Sequence, residues 1–323
     1  MNPRVLNLLL ALLATLLALA SLLWAPDELI EVHRRAPGVA RAILIELRVP
    51  RMILGLAIGA VLGLTGAALQ GLLRNPLAAP DVLGSSTGAA FGAVLASYYL
   101  GIGGTLGLAL GGMTGAVGAL LLLLLLAGPS ATTASLILAG VAISALASAL
   151  TNLALSLAPS PFALYDVLFW LLGSLADRSL DHVLFALPPM VFGGWLALST
   201  RRGIDALALG EDVATSLGQN VSAMRMKIVI GTGLAVGAAV AVAGAIGFIG
   251  LVVPHLVRPF VGHRPGAAMI PSALAGACLL TAADLFVRVP IAGQELKLGV
   301  VTAMLGCPFF LWLILRGRAR ATS

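Results

Sequence analysis

The sequence predicts an all-α, polytopic membrane protein with about ten transmembrane helices. Of its 323 residues, 60% are hydrophobic and only 10% are charged. The apolar residues form blocks of about twenty, the number that spans a bilayer core as a helix. These uniform runs differ from the alternating pattern of a membrane β-barrel. The spans leave no length for a separate soluble catalytic domain, so we read residues 1–323 as a single transmembrane domain.

Ten apolar segments are predicted to cross the membrane. In chain order they are Leu6–Trp24, Met52–Leu73, Val82–Tyr99, Thr105–Ala127, Ser135–Leu157, His182–Thr200, Ile228–Ala245, Phe248–Val261, Ala267–Val287 and Leu298–Leu315. The eighth segment is short and contains Pro254, so its ends are the least defined. The first segment fits either a retained helix or a cleaved signal peptide. Its length of about 19 residues exceeds a usual signal core and favours the retained helix.

The distribution of positive charge predicts the orientation. Ten spans place both termini on one side. Of the 19 lysines and arginines, ten fall in the connections on that side, and an eleventh, Arg258, lies near the end of the eighth span on the same side. The positive-inside rule therefore puts both termini in the cytoplasm. It also accounts for much of the net charge of +6 without a nucleic-acid partner. Cys278 and Cys307 lie in apolar segments, so neither a disulfide nor a metal site is predicted.

Glycine recurs along two of the predicted spans. In the second span Gly55, Gly59, Gly63 and Gly66 are three or four residues apart. A further group crowds the region of the fourth span: Gly103, Gly104, Gly107, Gly111, Gly112, Gly115 and Gly118. Such stripes allow helix backbones to approach closely in a membrane. We expect tight helix packing, with a glycine-lined pathway as the alternative.

Two connections are long and polar enough to meet soluble partners. Residues 201–227 contain a weakly amphipathic stretch, 206–218, that is too polar to cross lipid and suits short surface helices. The loop Ala25–Arg51 is rich in charge on the opposite side. Each connection is either a docking face or an ordinary solvated surface.

Several sequence blocks carry a family resemblance. They are Arg48-Val49-Pro50-Arg51, Arg74-Asn75-Pro76-Leu77-Ala78-Ala79-Pro80, Gly247-Phe248-Ile249-Gly250-Leu251-Val252-Val253-Pro254-His255 and Gly306-Cys307-Pro308-Phe309-Phe310. Together they strongly resemble the permease subunits of type II ABC importers, which take up iron-siderophores, heme and vitamin B12. The resemblance runs from Arg48 to Leu315, nearly the whole chain.

The resemblance implies a complex in a bacterial cytoplasmic (inner) membrane. It would contain a homodimer of this chain, two ATP-binding cassette subunits inside, and one periplasmic or extracellular substrate-binding protein outside, with membrane lipid around it and no nucleic acid. The chain has no Gly-x-x-x-x-Gly-Lys-Ser/Thr phosphate loop, so we expect no enzyme activity and no cofactor in this chain. ATP and Mg would bind the partner ATPase.

The expected cargo is an iron complex, either a siderophore or heme, with vitamin B12 (cobalamin) as the alternative. A less favoured function is a proton-coupled secondary transporter that uses Asp284 or Glu295. A membrane enzyme is a third class, but the sequence lacks the clustered His, Asp or Glu residues that such chemistry needs.

The inner segment at about 201–224 resembles the coupling region of importers. Asp212-Val213-Ala214 followed by Gly218 matches the motif Glu-Ala-Ala-x-x-x-Gly loosely, with Asp for Glu and Val for the first Ala. In the family such a short helix sits in a groove of the ATPase. The resemblance therefore implies coupling contacts from Gly210, Glu211, Asp212, Ala214 and Gly218. The alternative is an ordinary surface helix.

Arg48 and Arg288 lie at the outer ends of their predicted spans. They match positions where family permeases present arginines to acidic residues of the binding protein, and the planar guanidinium suits a carboxylate. The alternative is an arginine that extends from a helix end to the lipid headgroups.

Asn75, Leu77 and Thr133 match residues that narrow the cytoplasmic end of the family's pathway, so they are predicted to form a gate. Asn75 could instead be a helix cap.

Two further polar residues lie in apolar segments. His255 is expected to be structural, with heme ligation as the alternative. Asp284 is unusual because a carboxylate inside a membrane is costly and is normally paired. Arg288, one helical turn later, is the expected partner.

Overall fold

The computed structural model describes residues 3–102, 104–128, 132–158, 161–290 and 296–321. These residues form fifteen α-helices, one π-helix and two 3₁₀-helices, and none of them forms a strand. The α-helices are α1 (Pro3–Leu22), α2 (Pro26–Arg35), α3 (Pro37–Ala42), α4 (Val49–Leu72), α5 (Ser85–Tyr98), α6 (Gly104–Ala127), α7 (Thr133–Ser156), α8 (Pro161–Leu171), α9 (Leu180–Ser199), α10 (Arg201–Leu207), α11 (Glu211–Ser216), α12 (Val221–Ala243), α13 (Ile249–Val257), α14 (Pro265–Val287) and α15 (Leu298–Ala321).

A helix occupies each of the ten predicted spans. Seven helices of the described chain are long and apolar enough to cross a membrane. The others are shorter or less apolar: α5 has 14 residues, and α13 has nine before a 3₁₀-helix, Arg258–Val261, extends it. The described part of α15 is apolar over Leu298–Phe309. The sequence did not predict α2, α3 or α8, and it did not predict the π-helix Ile43–Arg48 that leads into α4.

Glycines bring three helix pairs into backbone contact. A Cβ on Gly59 of α4 would overlap the carbonyl oxygen of Gly276 in α14. The same holds for Gly92 of α5 against Gly111 of α6, and for Gly193 of α9 against Gly231 of α12. In lipid there is no hydrophobic driving force for helices to associate. Small residues instead let the helix backbones approach closely enough to pack. The predicted tight packing is thus confirmed for Gly59, Gly63 and Gly66 and for Gly111, Gly112 and Gly115, whereas Gly118 meets nothing within 4 Å and Gly103 lies outside the described residues.

Helices α4 and α14 run antiparallel and define the two ends of the bundle. Arg51, near the start of α4, contacts Asp284, near the end of α14. At the other end, a Cβ on Gly71 of α4 would meet the side chain of Ile204 in α10. With 23 residues, α14 is about 34 Å long at 1.5 Å per residue. The predicted docking arginines and the predicted coupling segment therefore lie on opposite faces of the molecule.

Helix α1 packs along α14 and leaves most of its leucines exposed. Leu8 is 70% exposed and Leu12 is 58% exposed. The Cys278 thiol of α14 lies 3.4 Å from the carbonyl oxygen of Leu10. Exposed leucines on such a helix are what a lipid-facing surface requires.

Candidate docking and coupling sites

A buried carboxylate joins two arginines at the end of α14. Asp284 is 2% exposed, and its two oxygens accept hydrogen bonds from Arg51 Nε at 3.0 and 3.1 Å. Arg288 donates to Asp284 Oδ2 from Nε at 3.0 Å and from Nη2 at 2.6 Å. The expected pairing with Arg288 is confirmed. The second partner, Arg51, comes from α4 and was not predicted. We call Asp284, Arg51 and Arg288, with Arg48 and Ser21, the Asp284 cluster.

The Asp284 cluster also holds the end of α1. Arg288 donates to the Ser21 carbonyl oxygen at 2.8 Å and to the Ser21 hydroxyl at 2.7 Å. Arg48 donates to the carbonyl oxygen of Leu22 at 2.9 Å. The last carbonyls of a helix lack intrahelical partners and carry partial negative charge, so arginines stabilise them. The cluster therefore joins three helices at one point.

A cavity of about 480 Å³ opens beside the Asp284 cluster. Its lining includes Arg48, Arg51, Asp177 and Arg288. The π-helix that ends at Arg48 continues directly into α4, and such helices are frequent at functional sites. This cavity is where the structure brings both predicted docking arginines together.

The guanidinium of Arg288, one of the two predicted docking arginines, is closely surrounded by its partners. The Arg288 side chain is only 7% exposed, because its donors face Asp284 and Ser21. Burial lowers the pKa of the Arg288 guanidinium, whereas the charge of Asp284 raises it and that of Arg51 lowers it. Arg48 is likewise partly buried. Both predicted docking arginines thus already have partners within the Asp284 cluster.

At the opposite end, α10 and α11 form the predicted coupling segment. Glu211 accepts hydrogen bonds from Arg225 Nη2 of α12 at 3.0 and 3.2 Å. Ala214 is fully buried, whereas Asp212 is exposed. Three apolar side chains of this segment face outward: Leu209 at 69%, Val213 at 42% and Leu217 at 61% exposure. The segment is anchored on one side and apolar on the other, as a docking helix requires.

Two glycines set the ends of α11. Gly218 has φ +77°, and a Cβ there would meet nothing within 4 Å. Its N–H donates to Thr215 O at 2.9 Å, and the next N–H, from Gln219, donates to Ala214 O at 3.0 Å. These bonds form a Schellman motif, which favours glycine at this position. Gly210, before α11, has φ 121° and ψ 156°, a region open essentially to glycine alone.

The predicted gate residues lie at helix ends. Asn75 follows α4, and its side-chain oxygen accepts a hydrogen bond from the Leu77 N–H at 2.9 Å. Asn75 and Leu77 are both exposed. Thr133 is the first residue of α7, after the capping residue Thr132. The 3₁₀-helix Pro80–Leu83 contacts α7 at Gly140, two turns beyond Thr133. Asn75 thus makes a local turn, and its gating role stays a prediction.

A second buried polar link joins α4 to α13. Gln70, 2% exposed, donates to the carbonyl oxygen of Leu251 at 3.2 Å and accepts from Arg258 Nη2 at 2.8 Å. Sequence reasoning gave Gln70 no role. The signal available was a glutamine inside an apolar run, which needs partners when buried. His255, on the same helix α13, packs its ring edge-on against Phe309 of α15 at 5.9 Å between centroids.

Comparison with known proteins gives a consistent result. The model of the FecCD transport family matches residues 8–316. The vitamin B12 import system permease proteins BtuC of Salmonella paratyphi A and Salmonella typhi are each 40% identical over 315 residues, which is 95% of this chain and 93% of theirs.

A solved structure supports the same assignment. An inward-facing putative metal-chelate type ABC transporter is 31% identical, with a TM-score of 0.85 over 97% of this chain and 99% of that one. The chain therefore belongs to the FecCD transport family and is a permease subunit of the ABC importer type.

Proposed function

We propose that this chain is the membrane-spanning subunit of an ATP-driven vitamin B12 importer. The observation that carries the proposal is the 40% identity with vitamin B12 permeases along 95% of the chain. The iron-complex cargo expected from the sequence has weaker support. It rests on the 31% identical metal-chelate type transporter, and we keep it as the second candidate.

The assembly is proposed on the same basis. Two copies of the chain would enclose a pathway, with two ATPase subunits in the cytoplasm and a substrate-binding protein outside. All ten apolar segments would cross the inner membrane, and both termini would be cytoplasmic. Under this orientation the Asp284 cluster faces outward and the α10–α11 segment faces the cytoplasm.

Each candidate site then has a role. Arg48 and Arg288 would receive acidic residues of the binding protein at the cavity beside the Asp284 cluster. The exposed apolar side chains in and beside α11, Leu209, Val213 and Leu217, would enter a groove of the ATPase. Gly210, Glu211, Asp212, Ala214 and Gly218 would shape that helix. Asn75, Leu77 and Thr133 would close the cytoplasmic end of the pathway, with partners from the second copy.

Uptake into proteoliposomes tests the cargo. The chain is reconstituted with its ATPase, ATP is enclosed, and the binding protein is added outside with labelled cobalamin, a ferric siderophore or heme. We expect ATP-dependent accumulation of cobalamin, and little of the other two. Accumulation of the siderophore or heme without cobalamin would contradict the proposed cargo and favour the second candidate.

A further inference from the structure

Helix α14 begins without a capping side chain of its own. The residue at its N-cap position, Arg264, makes no side-chain hydrogen bond to the first turn. Instead, Asp205 of α10 supplies the acceptor: its Oδ1 accepts from the Gly266 N–H at 2.9 Å. Aspartate is among the best N-cap residues because its oxygen satisfies an otherwise unpaired N–H of the first turn. Here the cap comes from a different helix.

The same carboxylate makes a second contact with the start of α14. Asp205 Oδ2 accepts from Arg264 Nη2 at 2.9 Å, and the Asp205 side chain is 23% exposed. The backbones are also close, because a Cβ on Gly266 would overlap the Arg201 carbonyl oxygen and lie 2.9 Å from Asp205 Cγ. Helix α10 is therefore seated directly on the first turn of α14.

Helix α14 connects this contact to the other face of the molecule. It packs on α4 through Gly59 and Gly276, where the backbones meet, and it carries Asp284 near its far end. The α10–α11 segment has a second attachment, from Glu211 to Arg225 of α12. Rigid helices and specific hydrogen bonds thus form a continuous physical path between the two candidate sites, and such a path can carry energetic coupling.

We infer that Asp205 is a positioning residue that passes movement of the ATPase-bound α10–α11 segment into α14. The inference rests on the proposed function, because it needs an ATPase at that segment. Asp205 holds the segment to α14 through the cap on Gly266, while the ion pair with Arg264 contributes little because Arg264 is 70% exposed.

Three variants of the assembled complex test this role. Asp205→Ala removes the cap and the charge, Asp205→Asn keeps an oxygen for the Gly266 N–H, and Arg264→Gln removes only the ion pair. The readout is the ratio of ATP hydrolysis with and without the binding protein, alongside copurification of the ATPase. We expect the Asp205→Ala chain to copurify normally with the ATPase. Its ratio of stimulated to basal ATP hydrolysis should fall about fivefold, the size of effect expected for a lost helix cap. Asp205→Asn and Arg264→Gln should stay near wild type.

A fourth variant tests the contact from the α14 side, without any substitution of Asp205. Gly266→Ala pushes α10 away from α14 while the Asp205 side chain itself is unchanged, so it should also lower the stimulation. The inference is overturned if Asp205→Ala keeps full stimulation, or if the ATPase no longer copurifies with this variant. It is also overturned if Arg264→Gln lowers the stimulation as much as Asp205→Ala does. A wild-type complex without any stimulation would instead contradict the proposed function itself.

Discussion

Asp284 shows how one residue sets the arrangement of an entire face. A carboxylate at 2% exposure needs compensation for lost hydration, and here two arginines from different helices supply it. The sequence identified one of them, because Arg288 is one helical turn away. Arg51 is 233 positions away in the chain, and no local pattern indicates that pairing. A proton-coupling role would require Asp284 to release both arginines, which is why we favour structure over proton transfer.

Asp284→Asn should destabilise the protein. It leaves two guanidinium groups beside a neutral amide, and breaking one side of a buried ion pair typically costs about 3–5 kcal/mol. We expect a clearly lower apparent melting temperature in detergent and a modest loss of binding-protein affinity. Glu31→Gln is the control, because its ion pair with Arg35 is 50% and 78% exposed and should contribute under about 1 kcal/mol. If both variants had the same apparent melting temperature, the result would argue against a structural role for the Asp284 cluster.

Arg48→Glu alone tests docking more cleanly than a double variant in which both Arg48 and Arg288 are replaced by glutamate. A glutamate at position 288 would lie beside Asp284 and disturb folding, whereas Arg48 is half-buried at the cavity. We expect affinity for the binding protein to fall by about tenfold or more, with weaker dependence on salt. Surface plasmon resonance at two salt concentrations measures both effects, with the exposed Arg41→Glu as control. If Arg48→Glu docks like wild type, Arg48 only tethers α1.

At the scale of elements, the sequence located the helices but not their partners. Runs of about twenty apolar residues identify a span by length alone, so a helix occupies each of the ten segments. The short helices α2, α3 and α8 lack that signal. The glycine stripes predicted close packing, yet which helices meet depends on the fold: Gly59 meets Gly276 more than two hundred residues later. Likewise, Gly218 matched a coupling motif, but its Schellman geometry is visible only in the structure.

Gly276→Ala should disrupt the α4–α14 contact. The added methyl group would overlap the Gly59 carbonyl oxygen, and overpacking of this kind typically costs about 1–3 kcal/mol. Gly118→Ala is the matched control, since a Cβ there meets nothing within 4 Å. We expect a lower melting temperature for Gly276→Ala only. A Gly276→Ala protein as stable as the control would contradict the close crossing.

Two substitutions at Gly218 separate backbone strain from bulk. Gly218→Trp should abolish most stimulated ATP hydrolysis, because tryptophan strains the positive φ and fills the open space where the ATPase would dock. Gly218→Asn tolerates the left-handed conformation and should retain much of the activity. Both variants should still express and fold. Full stimulation in the tryptophan variant would refute the assignment of α11 as the coupling helix.

At the scale of the whole molecule, two polar sites occupy opposite ends of a mostly apolar helical bundle. Helix α14 spans about 34 Å between them. This arrangement fits a permease that receives a binding protein on one face and an ATPase on the other. A proton-coupled carrier could have the same bundle of helices. The two kinds of transporter therefore differ in the energy source that drives uptake.

The decisive measurement is cobalamin uptake under controlled energy supply. Proteoliposomes that contain this chain and its ATPase, with the binding protein outside, are supplied either with enclosed ATP and an uncoupler, or with an imposed proton gradient and no ATP. We expect uptake in the first condition and none in the second, and none from the chain reconstituted without its ATPase. Uptake that follows the proton gradient, or that persists without the ATPase, would contradict an ATP-driven importer.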